Sequence, residues 1–76
     1  MRTLLEFLLI RLVAKPEALK IEEHDDMGQL VYTITVDPED AGRVIGRGGK
    51  IIKAIRKIAS IFQVKNNIHA RIVIEG

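Results

Sequence analysis

The sequence predicts a small α+β domain in two layers, a three-stranded sheet covered on one face by helices. Three observations lead to this prediction. Leucines recur at helical spacing near the N-terminus, three later segments alternate apolar and polar residues, and a glycine-rich stretch separates two more helical segments. The 76 residues have room for one domain, and we expect it to fill the chain, residues 1–76.

The first element is a predicted helix that ends near Val13 or Ala14, because Pro16 cannot continue it. Thr3 and Glu6 have the spacing of a capping box, with Thr3 as the N-cap. The side predicted to cover the sheet consists of Leu5, Leu8, Leu9 and Leu12. The remaining apolar residues lie on a different side and need another partner: Phe7, Ile10 and Ala14.

Two strands joined as a hairpin are predicted next. Residues 19–22 alternate apolar and polar side chains, residues 24–29 supply turn-forming residues, and residues 30–36 alternate again. The positions expected to face the core are Leu30, Tyr32, Ile34 and Val36, and those expected to face outward are Val31, Thr33 and Thr35.

Two helices and a last strand complete the prediction. The first of these two helices follows Asp37, which can cap it. Pro38 suits its first turn, and Gly46 keeps the helix short. The second helix should span residues 50–62, with a turn at 65–67 and a strand at 68–74. Its predicted buried stripe is Ile51, Ile55, Ile58 and Phe62, and the residues predicted to face away are Lys53, Arg56, Lys57 and Ser60.

The glycine-rich stretch between these helices has the pattern G-x-x-G, from Gly46 to Gly49. Glycine permits positive φ and close approach of another molecule to the backbone. The helix that follows would direct free N–H groups and the positive end of its dipole at the loop, which suits a phosphate. Arg47 and Lys50 add positive charge there. The alternative is a tight connection between two helices with no ligand.

Charge is divided unevenly along the chain. Residues 1–40 hold four bases and nine acids, a net charge of −5, whereas residues 41–76 hold eight bases and one acid, a net charge of +7. The stretch from Ala41 to Ile74, which contains the glycine loop, has no acid, and this indicates a polyanionic partner. The alternative is a solvated basic helix face without a partner.

The segment from Val44 to Gly49 resembles the signature loop of KH domains, which clamps the backbone of about four nucleotides. Over nearly the whole chain, the element order α-β-β-α-α-β is similar to the type II, prokaryotic KH fold. Pro16-Glu17 and the segment 36–40 resemble the short stand-alone bacterial KH proteins of the KhpA kind. Gly48 departs from the polar residue common there in the family, which implies a more flexible loop with one side-chain contact fewer.

The candidate RNA-binding residues lie in the glycine loop and beside it. Val44, Ile45 and Ile52 would form an apolar groove beside the loop, although core packing is the expected role of Ile45. Aromatic stacking is not expected to dominate, because the aromatic residues Phe7, Tyr32 and Phe62 fall on core or interface faces. The candidate RNA-binding residues are Arg43, Val44, Gly46, Arg47, Gly48, Gly49, Lys50, Ile52 and Lys53.

Other site types are not supported. The loop lacks the first glycine and the Ser/Thr of a Walker A motif, and no strand leads into it as in a dinucleotide fold. The chain contains no cysteine, and His24 and His69 have no partners at metal-ligand spacing. We therefore expect neither enzyme activity nor a cofactor. Charged residues interrupt the apolar N-terminus, so a cytoplasmic protein without membrane insertion is expected.

The partner predictions follow from the residues and from the resemblance. Ile61 and Ala54 lie off the buried stripe and form a candidate dimer face. The resemblance implies an RNA chaperone or post-transcriptional regulator that works beside a larger KH protein of the Jag type, with links to cell shape. Two alternatives stay open: a dimerising adaptor for an acidic protein, and a binder of single-stranded DNA.

Overall fold

The computed structural model describes residues 1–75 and confirms the predicted order of elements. Short 3₁₀ turns lie at Pro16–Ala18 and at Arg47–Gly49. None of the helices in the described residues is long and apolar enough to cross a bilayer. The elements are α1 (Arg2–Leu9), β1 (Lys20–Asp26), β2 (Gln29–Thr35), α2 (Pro38–Ile45), α3 (Lys50–Asn66) and β3 (Ala70–Glu75).

The sheet has the strand order β1-β2-β3, so β2 is central and β1 and β3 are the edges. β1 pairs antiparallel with β2, with Ile21 opposite Ile34, as expected of a hairpin. β3 pairs parallel to β2, with Ile72 opposite Tyr32. A parallel pair needs a long crossover, and α2, the glycine bend and α3 supply it.

The core lies between the helices and one face of the sheet. Leu5 and Leu9 of α1 are fully buried in the same core cluster as Ile34 of the central strand, as the leucine spacing predicts. Tyr32 is also buried, and its hydroxyl donates a hydrogen bond of 2.5 Å to a carboxylate oxygen of Glu23. Burial, followed by this acceptor, raises the pKa of Tyr32 to about 12.

One charged residue, Asp40, is buried at the start of α2 with 1% of its surface exposed. Its two carboxylate oxygens accept hydrogen bonds from the N–H groups of Ala14 and Lys15, each 3.0 Å long. These backbone donors, that of Ala14 first, lower the pKa of Asp40. Asp40 therefore ties the chain after α1 to the helix that leads into the glycine bend.

Both ends of α1 differ from the prediction. The helix begins at Arg2 with Met1 as its N-cap and without a side-chain cap, so the capping box of Thr3 and Glu6 does not form. Thr3 already lies inside the first turn, where its hydroxyl cannot cap. The helix ends at Leu9 and continues only as turns, in which Val13 N–H donates to the Leu9 carbonyl at 3.2 Å.

The hairpin is longer than predicted, because β1 extends to Asp26 and the turn contains only Met27 and Gly28. The ladder with β2 overrides the turn preference of the aspartates. Asp25 still favours the turn, since its carboxylate accepts a hydrogen bond of 3.0 Å from Gly28 N–H. Val31 lies on the outer face as predicted, but only 8% of it is exposed because strands flank it on both sides.

The buried stripe of α3 differs from the prediction, and the helix is longer. The buried residues are Ile52, Ile55 and Ala59, whereas Ile58 is 42% exposed. Ile51 and Phe62 are only half-buried, and the helix continues to Asn66. The helix has more isoleucines than one buried stripe requires. The spacing alone therefore fits two orientations of the helix about its axis, whose buried stripes are offset by about one residue.

Candidate nucleic-acid interface

The bend between α2 and α3 needs its three glycines. Gly46, Gly48 and Gly49 have φ values of +79°, +64° and +76°, a region that other residues rarely adopt. The turn closes with a hydrogen bond of 3.1 Å from Gly49 N–H to the Gly46 carbonyl. The glycines are therefore explained by backbone geometry, and the turn presents its outer surface to solvent.

The glycines of the bend differ in their surroundings. A Cβ on Gly46 would lie 2.7 Å from Cγ1 of Ile51, so α2 and α3 pack there with no room for a side chain. A Cβ on Gly48 would meet nothing within 4 Å. Arg47 and Gly48 are both exposed. One side of the bend is thus closely packed, and the other is open to a ligand.

The bend also forms the N-terminus of α3. Gly49 is the N-cap of this 17-residue helix and provides no side-chain acceptor, which leaves the first N–H groups of the helix without a side-chain cap. Together with the helix dipole, these N–H groups favour an anion at this position.

Four bases surround the bend: Arg43, Arg47, Lys50 and Lys53, all exposed. Arg43 lies 3.9 Å from the Asp40 carboxylate. Within residues 1–75, no carboxylate lies within 4.0 Å of the charged groups of the other three. Their charge is therefore available to a phosphate chain.

An open groove of about 980 Å³ runs from the bend between α3 and β3. Ile45 and Ile52 lie at its loop end, and residues 70–74 of β3 form one wall. Because β3 is an edge strand, its outer backbone groups have no strand partner there. Arg56 bridges the groove by donating a hydrogen bond of 3.3 Å to the Ile72 carbonyl. The groove combines an apolar floor with hydrogen-bonding groups.

Four residues of the acidic half lie on the opposite edge of the sheet from this surface. Glu22, Glu23, Asp25 and Asp26 belong to β1, the edge opposite β3. Two further acids form ion pairs with Lys15, whose Nζ lies 3.0 Å from a carboxylate oxygen of Glu39 and 3.7 Å from one of Asp37. Within residues 1–75, no acidic residue lines the groove, and none forms an ion pair with Arg47, Lys50 or Lys53 at the bend.

Most predicted site residues come together around the bend, with two exceptions in the apolar group. Val44 is fully buried in the core and cannot contact a ligand. Ile45, expected in the core, is instead 42% exposed and lines the groove. The reason is helical spacing: Asp40 and Val44, four residues apart, form the buried face of α2, and Ile45 points about 100° away from it. Ile52 lines the groove floor although only 7% of it is exposed.

Part of the groove was not predicted from the sequence. Arg56, a base that flanks the loop and that we expect could extend the phosphate path, lines the groove, and so do Ser60, Gln63 and Arg71, which were not predicted there. Positions 56, 60 and 63 lie on one side of α3, and this spacing is visible in the sequence. What the sequence does not show is that β3 lies beside that row. His24 and His69 are both exposed, and no group of three potential metal ligands occurs within residues 1–75.

Comparisons with known proteins show the family of this chain. The family described as "KhpA/KhpB, KH domain" matches residues 2–74. A protein of Oceanobacillus iheyensis named RNA-binding protein KhpA is 36% identical over 75 residues, covering 99% of this chain and 97% of the relative. Its namesake in Thermotoga maritima is 42% identical over 60 residues, covering 79% and 80% of the two chains.

A third relative with this name, from Clostridium acetobutylicum, is 37% identical over 75 residues, again covering 99% of this chain and 97% of the relative. No solved structure matches the chain. The match to the family extends over nearly all of the described residues, including the bend, the groove and the three strands. The chain therefore belongs to the KhpA/KhpB family of KH domains.

Proposed function

We propose that this protein binds single-stranded RNA by clamping its backbone at the bend from Gly46 to Gly49. The observation that carries the proposal is the open glycine bend at the N-terminus of α3, beside unpaired basic side chains and an apolar groove. The relatives named RNA-binding protein support RNA as the ligand.

The chemistry of binding follows from the two parts of the site. N–H groups of the bend and the first turn of α3 would donate to phosphate oxygens, with Arg47 and Lys50 adding charge. The bases would then lie in the groove over Ile45 and Ile52, with their edges towards the outer side of β3, which has no strand partner. Bases paired in a duplex cannot present these edges, so a single strand fits best.

The double variant Arg47→Asp, Gly48→Asp tests the proposal. It reverses the charge at the open side of the bend, where a side chain on Gly48 meets no neighbour and aspartate tolerates positive φ. Filter binding should show loss of RNA retention, while circular dichroism stays native. The control Lys20→Asp, Gly28→Asp makes the same change in charge on the β1 hairpin and should retain RNA.

Full retention of RNA by the bend variant would favour the other candidate, an adaptor whose basic half contacts an acidic protein. Competition between RNA and DNA oligomers of the same sequence shows which of the two nucleic acids binds more tightly. This measurement is needed because clamping of phosphates alone would not discriminate between RNA and DNA. In the cell, we expect the protein to act in the cytoplasm as an RNA chaperone or post-transcriptional regulator.

A second proposal concerns the outward side of α3, where Ala54, Ile58 and Ile61 form an exposed apolar stripe, the α3 stripe. Ile58 and Ile61 are 42% and 61% exposed. Apolar residues grouped in this way favour an interface. We propose that the stripe pairs with a second copy of this chain or with a larger KH protein of the same family, and leaves the groove free for RNA.

A further inference from the structure

A second, smaller cleft continues the groove at its far end. It lies where α3 ends and β3 begins, and Ser60 and Gln63 line both the groove and the cleft. The two are therefore one continuous path that starts at the glycine bend. The remaining residues that line this end cleft are Val64, Asn67, Ile68 and His69.

The walls of the end cleft are held by backbone hydrogen bonds. Asn67 has φ of +53° and ends α3, and Ile68 N–H donates to the Gln63 carbonyl at 2.9 Å. The His69 carbonyl accepts a bond of 3.0 Å from Leu30 N–H of the central strand. The cleft is thus preformed. The side chains of Val64 and His69 are exposed, Val64 to 84%, so the core does not explain them.

Gln63 has a fixed orientation in this cleft. Its side-chain oxygen accepts a hydrogen bond of 3.1 Å from Ala70 N–H, the first residue of β3. Since a backbone N–H can only donate, the amide oxygen must face β3, and the amide nitrogen keeps its two N–H donors for a ligand. The Ser60 hydroxyl donates to the Lys57 carbonyl at 3.0 Å and retains its capacity to accept.

The chemistry of the end cleft differs from that of the bend. Its lining contains no Lys, Arg, Asp or Glu. It offers two apolar surfaces, an imidazole ring, and amide and hydroxyl groups, which together suit the flat apolar faces and polar edge of a nucleobase. A phosphate would find no cation there. Histidine is among the side chains on which unpaired bases stack.

We propose that the end cleft holds an additional base of the bound strand, beyond the nucleotides held at the bend and in the groove, with the His69 ring stacking on the base and the Gln63 amide donating to its edge. This inference rests on the proposed function. It makes the footprint on RNA longer than the roughly four nucleotides of one glycine loop, and it assigns the added affinity to a base rather than to the backbone.

The test compares oligouridines of four and seven nucleotides, with His69→Ala and the matched control His24→Ala. Both histidines are exposed, and His24 lies on the opposite edge strand. The wild-type protein should bind the seven-nucleotide RNA about threefold to tenfold more tightly than the four-nucleotide RNA. His69→Ala should lose most of this gain and keep the affinity for the shorter RNA, whereas His24→Ala should behave as wild type.

Two further readouts separate base contact from a general effect. The side-chain NH₂ signals of Gln63 should shift in NMR spectra with the seven-nucleotide RNA and stay in place with the shorter one. The salt dependence of binding should be the same for His69→Ala and wild type, because no phosphate contact is lost.

If wild type and His69→Ala gain equally in affinity from the shorter to the longer RNA, the inference is overturned. The gain would then arise only because a longer RNA offers more positions at which the same site can bind. RNA binding by the Arg47→Asp, Gly48→Asp variant at full strength would instead overturn the proposed function. The two failures are therefore distinguishable, and an RNA that fails to bind the wild-type protein would remove both.

Discussion

Gly46 and Ile51 pack so closely that a Cβ on the glycine would lie 2.7 Å from Cγ1 and 2.9 Å from the backbone nitrogen of the isoleucine. This contact joins the end of α2 to the start of α3 and sets the shape of the bend. The nearby Gly48 also has positive φ but has no neighbour within 4 Å of its Cβ position. Substitution of Gly46 therefore tests steric packing and backbone conformation together, whereas substitution of Gly48 tests backbone conformation alone.

Gly46→Ala should destabilise the fold by about 2–4 kcal/mol, because a left-handed φ and a backbone clash act together. Gly48→Ala should lower stability by only about 1 kcal/mol, since it carries the conformational term alone. Urea unfolding of both variants provides the measurement. Equal losses for the two variants would show that the contact with Ile51 relaxes at little cost.

Asp40→Asn should lower the urea midpoint at pH 7, because an amide cannot accept from both Ala14 and Lys15 with two equivalent oxygens. The pKa of Asp40 is lowered in the folded state, so its contribution is complete above the ordinary aspartate pKa and is lost as pH falls through the folded value. The gap between wild type and variant should thus shrink under acidic conditions. A gap that stays constant down to acid pH contradicts this role.

Lys53→Ala should weaken RNA binding and reduce the slope of log affinity against log salt by about 0.7, the value for one phosphate contact on a single strand. Lys53 is exposed, and no carboxylate within residues 1–75 pairs with it. Titrations at several salt concentrations check this. Lys20→Ala on the acidic edge strand is the control, and an unchanged slope for Lys53→Ala would exclude it from the phosphate path.

Ile61→Asp should give a folded monomer if the α3 stripe is the self-association surface. A carboxylate is tolerated at this position in the monomer because Ile61 is 61% exposed, but it cannot be buried in an apolar interface without a partner. Sedimentation at several concentrations measures the assembly state. Met27→Asp is the control, because it removes an apolar side chain from a fully exposed position in the hairpin. If the mass of the assembly is unchanged in Ile61→Asp, the α3 stripe is not the interface.

The sequence predicted those parts of the fold that local chemistry determines. Asp37 caps α2 by accepting from Glu39 N–H at 2.9 Å, and the glycine bend forms where the pattern predicts it. Features that depend on packing between elements were missed. The choice of Ala59 over Ile58 for the core, and of Val44 over Ile45, follows from how α2 and α3 rotate against the sheet.

The same limit applies to the site. The bend and its bases are contiguous in sequence, so they could be identified from residues 43–53 alone. The groove and the end cleft lie between α3 and β3, which are brought together by the parallel pairing of β3 with β2. The residues of β3 carry no pattern from which this pairing could be predicted. Gln63 and His69 illustrate this, since each looks like an ordinary surface residue until the strand is placed beside the helix.

The most direct test of RNA binding at the bend is an NMR titration of ¹⁵N-labelled protein with a single-stranded RNA. We predict that the largest backbone amide shifts occur at residues 46–50 and along β3, with β1 unaffected. Shifts confined to β1 or to the outer face of the sheet, with the bend unchanged, would contradict it.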